Sequence, residues 1–168
     1  MILWPAGLAL VLVWMIFRDP AIDYRLVVVG AVLPDVVDAP FGGARVLHTV
    51  LASVVLLVGV MVLTRHRRAA RRRLLAVPIG TFLHLVLDGM WARTETFWWP
   101  FLGRRLDGGL PPLERPLSVL LLQELAGAAA LVWLWRAWNL TNPQVRRNLW
   151  RTGRLPRDPG GGGGGGRR

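Results

Sequence analysis

The sequence predicts an all-α polytopic membrane protein, a bundle of about five spanning helices. Three observations lead to this fold class. Hydrophobic residues make up 53% of the 168 residues, and the mean hydropathy is +0.40. Several apolar runs approach the roughly 20 residues that an α-helix needs to cross a bilayer. The arginines flank these runs, which is the usual orientation signal of membrane helices.

Charge and cysteine content exclude several classes of site. The net charge is +11, and every one of the 21 basic residues is arginine. Because these charges flank apolar runs instead of forming one basic face, we expect membrane lipids and not nucleic acid as partners. The chain has no cysteine, so disulfides and thiolate metal sites are excluded. No pattern in the sequence indicates the oligomeric state.

The first two predicted helices differ in length. The apolar run Ile2–Phe17 lacks a basic start and a small-residue cleavage site, so we interpret it as a retained helix. The second run, Leu26–Leu33, is too short to cross a core of about 30 Å at 1.5 Å per residue. Pro34 follows it. The second helix must either continue to Asp38 or break, and we expect an interruption near Pro34.

Three further spans complete the predicted bundle: Val46–Leu63, Leu74–Trp91 and Leu117–Trp135. The segment Arg65–Arg73 contains six arginines and is the strongest signal for a cytoplasmic loop. With five spans, this loop places the amino terminus outside and the carboxyl terminus in the cytoplasm. The arginines near the carboxyl terminus agree with that orientation.

The composition divides the chain into two parts. Residues 1–140 form the predicted transmembrane domain, and residues 141–168 form a cytoplasmic Arg- and Gly-rich tail. Within the tail, Pro143–Arg151 is predicted to form a short surface helix. The seven-glycine tract Gly160–Gly166 has no side chains to build a core, so we expect most of the tail to be disordered.

Ionisable side chains inside spanning helices are costly and mark functional sites by default. His84 and Asp88 are four residues apart and therefore lie on one helix face. On the predicted topology they share a layer near the outer leaflet with four other residues: Asp35, Asp38, His48 and Glu124. The helix bounds and arginines that set the topology do not depend on these residues. Their common depth therefore predicts a shared site.

Two imidazoles with several carboxylates make a nitrogen–oxygen ligand set. Such a set suits Zn²⁺, or Mn²⁺ and Fe²⁺, better than copper or an iron–sulfur cluster. A bound divalent ion lowers the pKa of a coordinated water toward about 7 and so provides a nucleophile for hydrolysis. Glu124 and Asp38 are the candidate catalytic residues: whichever carboxylate does not bind the ion would act as general base or as a partner to an imidazole N–H.

Simpler interpretations stay open at this point. Asp35 and Asp38 each fit a helix end or a turn, and Glu124 fits a hydrogen bond between helices. A transporter that relays protons or cations would need polar residues across both leaflets, whereas the inner halves of the spans are nearly all apolar. A non-catalytic scaffold with a structural metal would need a closed four-ligand site.

Four segments taken in order resemble a known family. They are Val29–Asp38 with its Leu33-Pro34-Asp35, His48-Thr49, His84–Trp91, and Trp98-Trp99-Pro100. The pattern resembles the YdjM-like family of small bacterial inner-membrane proteins, described as membrane-bound metal-dependent hydrolases. The chain differs from the family pattern at Pro5 and near Gly43, where members often carry histidine.

The resemblance implies roles for six residues. It implies metal binding by Asp35, His48, His84 and Asp88, with Asp38 and Glu124 as further members of the site. It also implies a multi-pass protein of the bacterial inner membrane. The position of the site near the outer leaflet predicts an amphiphilic, lipid-like substrate, with phosphoesters among the candidates.

Overall fold

The computed structural model describes residues 1–19, 21–41, 45–102 and 115–155. These residues form α-helices, 3₁₀ turns and connections, with no β-strand among them. The α-helices are α1 Leu3–Phe17, α2 Tyr24–Asp38, α3 Val50–Leu63, α4 Arg68–Leu74, α5 Ala76–Leu87, α6 Thr94–Phe97, α7 Leu117–Ala137 and α8 Pro143–Thr152. The predicted all-α class is confirmed. Gly43 and the tract Gly160–Gly166 lie outside the described residues.

The lengths of the helices bear on the predicted topology. Among the described residues, α7 is the one helix that is both long and apolar enough to cross a membrane, with 21 residues or about 31 Å. Helices α1 and α3 are apolar but have 15 and 14 residues, which span about 21–23 Å. Helix α5, Ala76–Leu87, is shorter at both ends than the predicted span Leu74–Trp91. The five-span topology therefore stays a prediction.

The predicted interruption of the second helix is wrong. Helix α2 continues through Pro34 to Asp38. Proline has no N–H, so the carbonyl of Gly30, four residues earlier, loses its helical donor. The hydroxyl of Thr81 on α5 lies 3.2 Å from that carbonyl and 3.1 Å from the carbonyl of Val77, so its proton is shared and partly replaces the missing bond. Compensation by a Ser or Thr hydroxyl of a neighbouring helix lets a proline remain inside a membrane helix.

The contact between α2 and α5 positions the residues discussed below. Gly30 on α2 and Gly80 on α5 lie where the backbones meet, and a Cβ on either would collide with a carbonyl oxygen of the other helix. Glycine is therefore required at this crossing, because small residues allow close helix approach in membranes. Gly30 precedes Asp35 by five residues and Gly80 precedes His84 by four, so the close approach draws these side chains together.

Contacts between distant segments define two ends of the bundle. At one end the indole N–H of Trp4 in α1 donates to the carbonyl of Leu87 in α5 at 3.1 Å. At the opposite end the N–H of Tyr24 donates to the carbonyl of Gly153 after α8 at 2.8 Å. The second end also carries the arginines of α4, and we call it the arginine end. This pairing of segments is the one expected for helices that alternate in direction.

Asp23, Arg25 and Arg73 form a compact ion cluster at the arginine end, here called the Asp23 cluster. Asp23 is fully buried and is the N-cap of α2. Its carboxylate accepts hydrogen bonds from Arg25 and, at 2.7 Å, from Nε of Arg73. Burial alone would raise the pKa of Asp23, but the hydrogen bonds and charges of the two arginines outweigh it and hold the pKa below its ordinary value.

The predicted surface helix of the tail is confirmed as α8. Its side chains Val145 and Leu149 pack against the main hydrophobic core, and Leu155 beyond it is buried there. Asn142 caps the first turn through its side chain, and Gly153 ends the helix with a left-handed backbone. Residues 141–155 are therefore attached to the bundle at the arginine end.

Candidate metal centre

Three segments bring the predicted ligands to the end of the bundle opposite the arginines. Asp35 lies in the last turn of α2, and His48 lies in the 3₁₀ turn that precedes α3. The hydroxyl of Thr49 caps α3 by accepting the N–H of Ala52, which holds His48 beside the helix start. His84 lies in the last turn of α5, and Asp88 is the C-cap of that helix.

The four side chains of Asp35, His48, His84 and Asp88 converge, and we call them the four-residue centre. One ligand atom from each lies within 4.8 Å of the others. Oδ1 of Asp35 lies 3.6 Å from Nε2 of His48 and 3.5 Å from Nε2 of His84. Nε2 of His84 lies 3.7 Å from Oδ2 of Asp88. Ligands at about 2.1 Å from one tetrahedral ion are about 3.4 Å apart, close to these separations.

Hydrogen bonds behind the two imidazoles fix which nitrogen faces the centre. Nδ1 of His84 lies 2.7 Å from the carbonyl oxygen of Ala31, which can only accept, so Nδ1 carries the proton. Nδ1 of His48 lies 2.7 Å from Oδ2 of Asp38 and donates to that carboxylate. In the neutral ring that a metal ligand requires, each Nε2 therefore directs its lone pair into the centre.

The atoms that face the centre have no hydrogen-bond partner in the described part of the chain. They are both carboxylate oxygens of Asp35, both of Asp88, and Nε2 of His48 and of His84, and all are buried. Buried polar atoms are nearly always satisfied, so a group of six without partners calls for a specific explanation. A divalent cation would satisfy these atoms together. The donor set, two neutral imidazoles and two carboxylates, fits Zn²⁺ with Mn²⁺ or Fe²⁺ as alternatives.

Asp38 lies behind His48 and outside the group of four. Its Oδ2 accepts from Nδ1 of His48 and, at 2.9 Å, from the backbone N–H of Arg45. A carboxylate in this place orients the imidazole and raises its basicity as a ligand. The contacts thus favour an orienting role for Asp38, while the predicted catalytic role stays a prediction.

Glu124 also lies outside the group of four. Its two carboxylate oxygens accept from the backbone N–H groups of Ile2 and Leu3, at 3.1 and 3.2 Å. A carboxylate at this position satisfies unpaired donors at the start of α1 and interacts favourably with the helix dipole. Glu124 therefore joins α7 to α1. This contact with α1, and not membership of the four-residue centre, accounts for its predicted depth in the bundle. Its predicted role as general base stays a prediction.

Sequence reasoning missed Arg115, which lies just before α7. Its guanidinium donates to the main-chain carbonyl of Asp88 and to the amide oxygen of Gln123, and Nη1 lies 3.8 Å from Oδ1 of Asp88. The side chain is 22% exposed. One weak signal in the sequence pointed to it. Arg115 lies in a loop predicted to be extracellular, whereas arginines are usually enriched in cytoplasmic loops.

Comparison with known proteins gives one match. A family model described as YdjM inner membrane protein matches residues 5–145, which is most of the chain. Searches of curated proteins and of solved structures return no match. The matched range contains all four residues of the centre, and Asp38 and Glu124 as well. The chain belongs to the YdjM inner membrane protein family.

Proposed function

We propose that this protein is a membrane-embedded, metal-dependent hydrolase. Its substrate is an amphiphilic, lipid-like ester with an anionic head, a phosphoester in the favoured case. The observation that carries the proposal is the set of buried, unpartnered ligand atoms on Asp35, His48, His84 and Asp88. Ionisable groups without partners in a low-dielectric interior lower the stability of the fold. Such a cost is typical of functional sites.

The four residues of the centre hold the cation in this proposal. A divalent ion held there supplies Lewis-acid activation of water and of the ester. The protein's part is to orient the ligands: Asp38 holds the ring of His48, and the carbonyl of Ala31 holds the ring of His84. Rigid support of this kind keeps the ligand geometry unchanged during a reaction.

The approach side of the centre is the side of Asp35. Its side chain is 16% exposed, whereas the side chains of His48, His84 and Asp88 are at most 1% exposed. Both of its carboxylate oxygens are themselves buried, and Oδ2 lies 3.6 Å from the amino group of Met1. Arg115 lies on the neighbouring side of Asp88 and supplies a positive charge for an anionic head group.

The lipid-like substrate follows from the position of the centre in the membrane. The family is one of inner membrane proteins, and the centre lies at the end of the bundle away from the arginines. Since arginine-rich ends face the cytoplasm, the centre faces the outer leaflet in a multi-pass arrangement with a cytoplasmic carboxyl terminus. Head groups of outer-leaflet lipids lie at that level.

A second candidate function is a scaffold with a structural metal. It is favoured by the number of protein ligands, because four suffice to close a tetrahedral zinc site. A catalytic site needs a coordination position for water or substrate. At this centre, either one of the four protein ligands leaves the ion or the ion takes a fifth ligand. Both candidate functions predict one bound ion per chain, but only the hydrolase predicts turnover of a substrate.

The test is hydrolysis of bis(p-nitrophenyl) phosphate and of a phosphatidylglycerol in mixed micelles, with the zinc-loaded protein. We expect release of product by the wild type and its loss in His84→Ala. The matched control is His66→Ala, an exposed histidine outside the centre. A protein that holds one metal ion per chain and hydrolyses neither substrate would favour the structural role.

A further inference from the structure

A cleft at the arginine end has no part in the proposed hydrolase. It lies between the start of α2, helix α4 and the segment that follows α8, and its volume is about 440 Å³. Four apolar residues and two arginines line it: Leu26, Ala69, Ala70, Leu74, Arg73 and Arg154. The lining therefore combines an apolar wall with positive charge.

The charge at this cleft is not balanced by the described residues around it. Asp23 already accepts hydrogen bonds from Arg25 and Arg73, so one carboxylate faces two guanidinium groups. Arg154 has no acidic partner among the described residues, and α4 adds Arg68, Arg71 and Arg72. The nearby acidic residue Asp19 directs its side chain to the backbone N–H of Ala21. An anion in the cleft would complement this excess.

The residues on either side of Arg154 hold its backbone in place. Gly153 has a left-handed backbone, with φ of 73°, and its carbonyl accepts the N–H of Tyr24. A Cβ at Gly153 would collide with the carboxylate of Asp23. On the other side Leu155 is buried in the core, and the N–H of Arg154 donates to the hydroxyl of Thr152. Arg154, which lines the cleft, therefore has its backbone held in a fixed segment.

We propose that this cleft binds an anionic phospholipid of the inner leaflet. The phosphate lies against Arg154 and the free donors of Arg73, and the upper part of one acyl chain lies on Leu26, Ala70 and Leu74. Basic pockets between helices on the cytoplasmic side of membrane proteins suit such head groups. The apolar wall distinguishes a lipid from a soluble phosphate, since a free anion gains nothing from it. The proposal does not depend on hydrolysis and shares with the proposed function only the cytoplasmic orientation of the arginine end. Because phosphatidylglycerol is also a candidate ligand of the metal centre, only the binding that is lost in Arg154→Gln is assigned to the cleft.

The experiment compares lipids on the full-length protein in nonionic detergent. Dioleoyl phosphatidylglycerol and dioleoyl phosphatidylcholine are titrated separately, and bound lipid is counted by native mass spectrometry. We expect the anionic lipid to bind about tenfold more tightly or better, because its phosphate lacks the compensating choline charge. Arg154→Gln should reduce binding of phosphatidylglycerol by about tenfold and leave phosphatidylcholine unchanged.

Two further variants separate the cleft from surface charge in general. Arg147→Gln removes the same charge from α8 at a different cleft, so binding should stay within about twofold of the wild type. Ala70→Phe fills the proposed cleft without removing charge and should weaken phosphatidylglycerol as strongly as Arg154→Gln. If Arg154→Gln does not fold, Ala70→Phe alone decides.

Three results would overturn the proposal. The first is equal binding of the two lipids by the wild type. The second is equal loss in Arg147→Gln and Arg154→Gln, which would show diffuse attraction to positive charge. The third is full competition by glycerol 3-phosphate at concentrations equal to the lipid, which would show a site for a soluble anion.

Discussion

Helix α2 has an aspartate near each end, and the two carboxylates are satisfied in opposite ways. At its start, Asp23 accepts hydrogen bonds from two arginines of the same chain. In its last turn, Asp35 faces two imidazoles and Asp88, and its oxygens have no hydrogen-bond partner among the described residues. Both residues are aspartates with little exposed side chain, 0% for Asp23 and 16% for Asp35. They differ in how closely the cations of the chain approach: Asp23 accepts hydrogen bonds from two arginines, whereas Asp35 lies 3.6 Å from the amino group of Met1 and accepts no hydrogen bond from the described residues.

This difference separates a structural cluster from a binding centre. The Asp23 cluster contains its own cations, so it is complete in the folded chain and serves to join α2, α4 and the segment after α8. The four-residue centre contains two carboxylates and two imidazoles whose Nδ1 atoms donate to fixed acceptors, so that each Nε2 faces the centre. Two cations of the chain lie at its margin: the amino group of Met1 is 3.6 Å from Oδ2 of Asp35, and Nη1 of Arg115 is 3.8 Å from Oδ1 of Asp88. Neither donates a hydrogen bond to these oxygens, and a divalent cation between the four ligands would compensate both carboxylates.

The largest expected effect is the loss of metal in His84→Ala. Removing one of four ligands should lower the affinity for Zn²⁺ by roughly a thousandfold or more, about 4 kcal/mol. Competition with a chromogenic chelator measures this affinity. His66→Ala, which lies outside the centre, should bind Zn²⁺ like the wild type. Equal affinities in all three proteins would remove the distinction between the two ends of α2.

The second effect is a loss of stability in Asp23→Asn. The amide keeps the helix cap and removes the charge, so the two arginines lose their charged acceptor. Arg25 and Arg73 are 32% and 51% exposed and can be rehydrated, so we expect a loss of about 2–3 kcal/mol in the free energy of unfolding, below that of a deeply buried pair. Urea denaturation in detergent measures it.

Metal binding by Asp23→Asn should equal that of the wild type, since the cluster is complete without an ion. Asp19→Asn is the matched control, because Asp19 is exposed and makes no ion pair among the described residues. Its stability should stay within about 0.5 kcal/mol of the wild type. A loss of metal in Asp23→Asn would contradict the independence of the two sites.

The four-residue centre and the Asp23 cluster should fail at different pH values when the solution is acidified. The pKa of Asp23 is held below its ordinary value, so the stabilisation by its cluster is complete above pH 3.8 and is lost as the pH falls through the lower pKa of the folded state. Metal release begins at higher pH, because protons compete for imidazole nitrogens whose ordinary pKa is about 6.5. Tm and bound metal, measured from pH 7 to pH 3, should therefore fall in two steps. A single step at one pH would contradict this order.

A smaller effect is expected for Asp38→Asn. The amide oxygen still accepts from Nδ1 of His48 but lacks the negative charge that raises the basicity of the ring. Loss of such a partner lowers metal affinity by about 10–100-fold. If Asp38 were itself a ligand, the loss would match that of His84→Ala, and the same chelator assay distinguishes the two outcomes.

The smallest effect is expected for Thr81→Val. This change removes the donor that replaces the missing N–H of Pro34 and leaves the carbonyl of Gly30 unsatisfied between α2 and α5. We expect a loss of about 1 kcal/mol in the free energy of unfolding, with Zn²⁺ affinity unchanged. Thr81→Ser keeps the hydroxyl and should behave like the wild type. A large loss of metal in Thr81→Val would mean that the crossing of α2 and α5 is less rigid than described.

The sequence predicted the four residues of the centre because their signal is simple: ionisable groups in apolar helices at a common depth. The division of roles was out of reach, because it depends on the direction of side chains at helix ends. Asp35 and Asp38 are three residues apart on α2, yet one faces the centre and the other lies behind His48. Spacing alone could not tell them apart.

Other features depended on partners far away in the chain. Pro34 stays inside α2 because of a hydroxyl on Thr81, 47 residues further along, so the local rule for proline predicted a break that does not occur. The position of Arg115 beside Asp88 depends on contacts with a residue 27 positions earlier in the chain, which no local pattern indicates. The helical class and the bounds of α1 and α7 depended on local hydropathy and were predicted to within two residues, whereas α3 begins at Val50, four residues after the predicted start.

The central claim is that the four-residue centre of the folded chain holds one divalent cation. Elemental analysis of the detergent-purified protein, after loading with Zn²⁺ and removal of the free ion, tests it most directly. We predict about one ion per chain in the wild type and in Asp23→Asn, and close to none in His84→Ala. A wild type that retains no divalent ion after loading, or a His84→Ala variant that retains as much as the wild type, would contradict the account.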